Sequence, residues 1–170
     1  MSELSYKISA LFRKCGLGDI CGTIEPVSGG LMHKMYKVST ESASYAVKCL
    51  NPEVMKRPGV LDNYARAEGL ESILEKEGIP IVPALSFDGK KMLEADGMYY
   101  YIFRWQEGSI TDYNTISKQQ CFMAGEILGR VHKIDPQNTE PEEPEVSDID
   151  FEAYASEADK EKMRHCRADH

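Results

Sequence analysis

The sequence predicts an α+β domain in which a helix packs on a mostly antiparallel sheet, and three observations predict it. Short apolar or alternating runs fall in two groups, residues 22–50 and 84–105. Tight-turn signals separate the runs, namely Ser28-Gly29-Gly30, Asp88-Gly89 and Asp96-Gly97, as consecutive antiparallel strands require. Two longer stretches instead repeat apolar residues at three- and four-residue steps, the helical period.

In chain order, Ile8, Leu11 and Phe12 give Ser5–Cys15 a helical stripe, and Gly16 supplies its stop. Gly22–Val27, Met35–Ser39 and Tyr45–Leu50 read as three strands. From Leu61 to Glu77, Tyr64, Ala67, Leu70 and Leu74 mark a helix, with Glu68, Glu71 and Glu75 also at helical spacing. Gly78 stands where a left-handed residue closes a helix, and Pro80 follows. Ala84–Phe87, Met92–Glu94 and the very apolar Met98–Trp105 read as further strands. Ser117-x-x-Gln120 is a capping box for a helix reaching Lys133, with Cys121, Ala124, Ile127, Leu128 and Val131 on one stripe. Residues 136–145 read as an extended, solvated linker, and Ile149–His170 as one weak helix.

Composition narrows the function. The 170 residues carry a net charge of −8, with hydrophobic residues at 42%, an ordinary globular balance. Residues 1–134 hold 16 basic and 16 acidic side chains, whereas residues 135–170 hold 4 and 12. A neutral body with an acidic tail has no basic excess to release phosphate counterions, so neither nucleic acid nor anionic membrane is an expected partner. No apolar run approaches the ~20 residues that span a bilayer, and no leader pattern opens the sequence. Five cysteines without a Cys-x-x-Cys pair point to reduced thiols, some serving as small core residues, in the cytoplasm. His165, Cys166 and His170 lack a second ligand pair and are expected to be solvated rather than zinc-bound.

One constellation carries chemistry. Ser28-Gly29-Gly30 lies between two strands, and adjacent glycines let backbone N–H groups approach an anion. Lys48 follows on the next strand in Tyr-Ala-Val-Lys-Cys-Leu; turned inward, it requires an anionic partner, and turned outward it is a solvated strand lysine. The next helix offers Glu68, or Glu71 one turn on. Glycine hairpin, strand lysine and helix glutamate in this order make the phosphate-gripping half of a kinase-type site.

At this point the sequence resembles a known family. Pro26-Val-Ser-Gly-Gly-Leu-Met-His-Lys-Met-Tyr-Lys-Val38 with Tyr45-Ala-Val-Lys48 resembles the nucleotide loop of the aminoglycoside phosphotransferase and choline kinase group. Ala65-Arg-Ala-Glu68, with its exit through Glu77-Gly-Ile-Pro-Ile-Val-Pro83, is similar to that group's lysine-pairing helix. Tyr99-Tyr-Tyr-Ile-Phe-Arg-Trp-Gln-Glu-Gly108 resembles the last N-lobe strand and hinge, and Ala124-Gly-Glu-Ile-Leu-Gly-Arg-Val-His-Lys-Ile-Asp135 the first C-lobe helix. The likeness spans about residues 22–135.

The resemblance implies a kinase-like N-lobe with a five-stranded, mostly antiparallel sheet over 1–107, a hinge and first C-lobe helix over 108–135, and an acidic tail over 136–170. It implies that Ser28, Gly29 and Gly30 cover the phosphates of ATP and that Lys48, paired to Glu68, contacts the α- and β-phosphates. Phe103 would back the adenine slot, and backbone groups near Arg104 and Gln106 would read the adenine edge. His33 stands where the group often has Asn and reads as a surface turn residue; Trp105 reads as packing in the core or at the lobe interface rather than as a stacking platform.

The group's His-x-Asp-x-x-x-x-Asn loop and later metal-binding Asp are not found. His132-Lys-Ile-Asp135-Pro-Gln-Asn138 has the letters at the wrong spacing, and Asp148-Ile-Asp150-Phe151 lacks a strand pattern around it. No catalytic or metal-ligating residue is therefore assigned, and the chain is expected to stop before the catalytic half. The expectation is a nucleotide-binding portion of an ATP-dependent small-molecule phosphotransferase, binding ATP weakly and turning over negligibly by itself, with Mg²⁺ and the small-molecule acceptor belonging to a longer form. Its uncovered lobe interface is expected to favour self-association. The alternatives are a non-catalytic α+β binding or regulatory module, and an α+β domain in which Lys48 is merely structural.

Overall fold

A computed structural model describes residues 3–27, 32–109, 111 and 114–135. The Ser28-Gly29-Gly30 turn, the acidic tail and the helix expected over Ile149–His170 lie outside the described residues.

Helix α1 (Glu3–Lys14) leads into strands β1 (Glu25–Val27), β2 (Lys34–Ser39) and β3 (Ser44–Cys49). A single helical turn, α2 (Pro52–Met55), precedes the long helix α3 (Val60–Lys76). Strands β4 (Leu93–Ala95) and β5 (Met98–Arg104) follow, then helix α4 (Lys118–Val131). The five strands form one antiparallel sheet in the order β1-β2-β3-β5-β4.

Period-two alternation divides the sheet's faces. Tyr45, Val47 and Cys49 of β3 are buried on one face, joined by Val38, Tyr100 and Ile102 and sealed by Ile8, Leu11 and Phe12 of α1. Phe12 and Tyr45 meet edge to face, with ring centroids 5.5 Å apart. The core is thus built on the N-terminal helix, through the stripe of Ile8, Leu11 and Phe12 that the sequence predicted. Burial pushes the Cys49 thiol up to about 11, consistent with a small core residue.

The opposite face carries Ala46, Lys48 and, beyond the strand, Leu50. A smaller apolar cluster of Leu50, Ala84 and Tyr101 lies there, with Tyr64 of α3 packed against it. No residue of α3 is fully buried. Of the expected stripe, Tyr64 and Leu74 are half-buried whereas Ala67 and Leu70 are exposed, and the other half-buried positions are Val60, Glu68, Glu71 and Ile73. The inward face of α3 is therefore rotated onto polar groups, because Glu68 and Glu71 find donors on the sheet side.

Ala84–Phe87 does not form the strand expected of it. Ala84 makes a single bridge to Phe103, and Leu85 N–H donates to Ile102 C=O at 2.8 Å. The neighbouring donors go elsewhere, Ala84 N–H to Glu71 Oε1 at 3.0 Å and Phe87 N–H to Lys90 C=O at 2.9 Å, which confines pairing with β5 to a short contact. Gly78 does close α3 with φ of +67°. The capping box at Ser117 and Gln120 is formed in both directions. Helix α4 has no buried residue; Phe122, Met123 and Leu128 are exposed, and Arg130 donates to Gly78 C=O.

Candidate functional site

The register of the sheet places Val27, Met35, Lys48 and Tyr101 in one row across β1, β2, β3 and β5. One step along, Glu25, Lys37, Ala46 and Phe103 form the adjacent row on the same face. Lys48 is half-buried in the middle of the sheet, and no carboxylate stands within ion-pair distance of it among the described residues.

Both candidate glutamates face this side, with different partners. Glu68 accepts the O–H of Tyr101 at 2.6 Å, and Tyr101 is the cross-strand neighbour of Lys48. Glu71 accepts from Lys91 Nζ at 2.6 Å and from Ala84 N–H at 3.0 Å, so its carboxylate is committed to holding residues 84–91 against α3. The expected direct pair between Lys48 and Glu68 is not formed among the described residues; a tyrosine stands beside the lysine and takes the carboxylate. Burial, then the hydrogen bond to Glu68, drives the Tyr101 phenol far above its ordinary value, so it remains a donor throughout the neutral range.

His33 is not the surface turn residue that its position suggested. It is half-buried, and its Nδ1 accepts from Asn51 N–H at 3.1 Å. Its Nε2 lies 3.2 Å from the Tyr64 hydroxyl, whose ring is 5.9 Å from that of Tyr101. A chain of contacts thus runs from the start of β2 through His33 and Tyr64 to Tyr101 and Glu68. Burial and the Lys48 ammonium hold His33 below its ordinary value, in keeping with a neutral imidazole whose Nδ1 accepts a hydrogen bond. Sequence reading missed His33, Tyr64 and Tyr101. The four-residue step from Tyr64 to Glu68 was the available signal for the inward face of α3.

At the end of β5, Phe103 is half-buried beside Ala46, whereas Arg104 and Gln106 are exposed. Trp105 N–H donates to Ser44 C=O at 3.1 Å. Lys37 Nζ lies 4.5 Å from the centre of the Trp105 ring and 3.7 Å from Glu107, so the indole packs under a lysine stem. Among the described residues no group of three His, Cys, Asp or Glu could hold a metal ion, and no helix is long and apolar enough to cross a membrane.

A model of the phosphotransferase enzyme family, APH, matches residues 23–169. The chain belongs to this phosphotransferase family. The match extends past residue 135, where the motif-by-motif likeness ended. Among solved structures, the chain is similar to a proposed aminoglycoside phosphotransferase from Ralstonia eutropha JMP134, with a TM-score of 0.54 and 14% identity. The similarity covers 80% of this chain and 40% of that one, so this phosphotransferase-family chain spans about two fifths of that structure's length. At this identity the likeness is one of fold: the α+β, kinase-like N-lobe with its five-stranded sheet. No curated protein matches the chain.

Proposed function

We propose that this chain provides the nucleotide-holding lobe of an ATP-dependent phosphotransferase acting on a small-molecule acceptor. Ser28, Gly29 and Gly30 cover the phosphates, Lys48 contacts the α- and β-phosphate oxygens, and Glu68 anchors the ammonium once the nucleotide is bound. Phe103 backs the adenine, and main-chain groups near Arg104 and Gln106 read its edge. No residue of the chain is assigned the role of catalytic base or of Mg²⁺ ligand.

The observation that carries this reading is the setting of Lys48. A half-buried ammonium in mid-sheet, short of a carboxylate among the described residues, is an unfavourable group until an anion reaches it. It lies two strands from β1, on the row that ends at Val27, the residue before the Ser28-Gly29-Gly30 turn. Family membership supports phosphoryl chemistry, in which such a lysine neutralises charge on the transferred nucleotide.

Lys48→Ala tests the proposal. A charge-assisted hydrogen bond contributes ~1.5–3 kcal/mol, so ATP affinity measured by NMR titration should fall roughly ten-fold or more. Thermal stability should change little, since no ion pair is broken. Lys34→Ala, an exposed position on β2, should leave ATP affinity unchanged. Equal ATP affinity in the parent chain and Lys48→Ala would overturn the reading.

A further inference from the structure

We propose that Tyr101 is a positioning residue for the phosphate-gripping pair, fixing the Glu68 carboxylate beside Lys48; this rests on the nucleotide-holding role proposed above. Tyr101 is 6% exposed, yet its hydroxyl is not idle: it donates to Glu68 Oε1 at 2.6 Å. A buried phenol without an acceptor is destabilising, so this bond is strongly maintained. It ties one oxygen of Glu68 to the strand residue directly across from Lys48. Glu68 Oε2 has no protein donor among the described residues. One carboxylate oxygen is thereby fixed and the other is available to the lysine when a nucleotide phosphate draws the ammonium into place.

The alternative glutamate cannot take this role without releasing Lys91 and Ala84. Tyr64, half-buried and 5.9 Å from the Tyr101 ring, flanks the phenol on the α3 side, and Phe103 lies 6.3 Å away on its own strand. The ring is thus confined by aromatic neighbours, and its hydroxyl is aimed by packing. A side chain held this way orients a flexible glutamate in advance, which reduces what must be ordered when the ligand binds.

The test is ATP affinity of the full chain, measured by NMR titration, in the parent, Y101F, E68Q and the double variant, with K48A alongside. Y101F should weaken ATP binding roughly three- to ten-fold, the range of one ordinary hydrogen bond, because the phenol acts on the nucleotide only through Glu68. E68Q keeps an oxygen for the phenol but removes the negative charge; ATP binding should weaken, and adding Y101F should weaken it no further. A purely structural tyrosine would lower thermal stability in both backgrounds and leave this coupling at zero. Unchanged affinity in Y101F, or effects that simply multiply with E68Q, would overturn the inference while the loss in K48A still stood. ATP affinity that K48A does not change would overturn the nucleotide-holding role itself, and the inference with it. Should Y101F not fold, ¹³Cζ-labelled tyrosine supplies a second readout. The Tyr101 resonance should move on adding ATP to the parent chain and stay put in K48A; a resonance unmoved by ATP in the parent chain would overturn the inference.

Discussion

Glu71→Ala separates the two acidic residues of α3, because the structure assigns them different work. Glu71 accepts from Lys91 Nζ at 2.6 Å and from the N–H of Ala84 at 3.0 Å. The side chains of the pair are 14% and 24% exposed for Lys91 and Glu71, between a surface bridge and a buried one. Breaking such a pair costs about 1–2 kcal/mol, between the surface and buried limits. The Ala84 N–H, in a residue only 6% exposed, loses its acceptor, at about 1–2 kcal/mol more. The total of roughly 2–4 kcal/mol corresponds to a fall in Tm of roughly 10 °C for a chain of this size. Glu71→Gln keeps an acceptor for Ala84 and should show about half that loss. Below the transition of the weakest variant, ATP affinity should be unchanged by Glu71→Ala and reduced by Glu68→Ala. Calorimetric melting and ATP titration of the two alanine variants make the measurement. A Glu71→Ala protein with parental Tm and lost ATP affinity would refute the assignment, because Glu71 would then be the lysine's partner.

Two further outcomes are expected. Phe12→Ala, which empties a fully buried site on α1 and removes the edge-on contact with Tyr45, should destabilise the fold by about 3–5 kcal/mol in urea denaturation. His33 has its proton affinity lowered in the folded chain by burial and by Lys48, so the unfolded chain takes up that proton first as pH falls. Its contribution to stability should be complete above about pH 6.5 and decline below it. The urea midpoint of the parent chain should therefore drop more steeply on acidification than that of His33→Gln.

Features set by local chemistry were legible in the sequence. Gly78 closes α3 in the left-handed region, since only the residues nearest it decide that conformation. The Ser117 and Gln120 box likewise joins groups three residues apart. Five of the six expected strands appeared, all but Ala84–Phe87, because alternation and tight turns are short-range signals. The inward face of α3 was not legible. An apolar stripe through Tyr64, Ala67, Leu70 and Leu74 competed with an acidic one through Glu68 and Glu71, and the acidic positions turned inward because Tyr101, Lys91 and Ala84 offer donors from distant parts of the chain. His33 was misread for the same reason: its two partners, Asn51 and Tyr64, lie 18 and 31 residues away. Among the site residues, the order of Lys48 and Glu68 was readable, but the tyrosine that stands between them in space was not.

The placement of Lys48 follows from what covers each face of β3. Because α1 seals the side of Tyr45, Val47 and Cys49 with Ile8, Leu11 and Phe12, the sheet has a complete apolar core without help from Ala46 or Lys48. Those two positions are then released from packing duty, and the face they occupy can hold an ammonium and a carboxylate that would be tolerated poorly in the core. Helix α3 completes that face with Tyr64 and two glutamates rather than with leucines, so it supplies hydrogen bonds where α1 supplies apolar area. A six-residue strand thereby serves two layers at once: its odd-numbered side chains hold the core together and its even-numbered ones face the side covered by α3. The long first helix is for this reason as much a precondition of the site as the lysine itself.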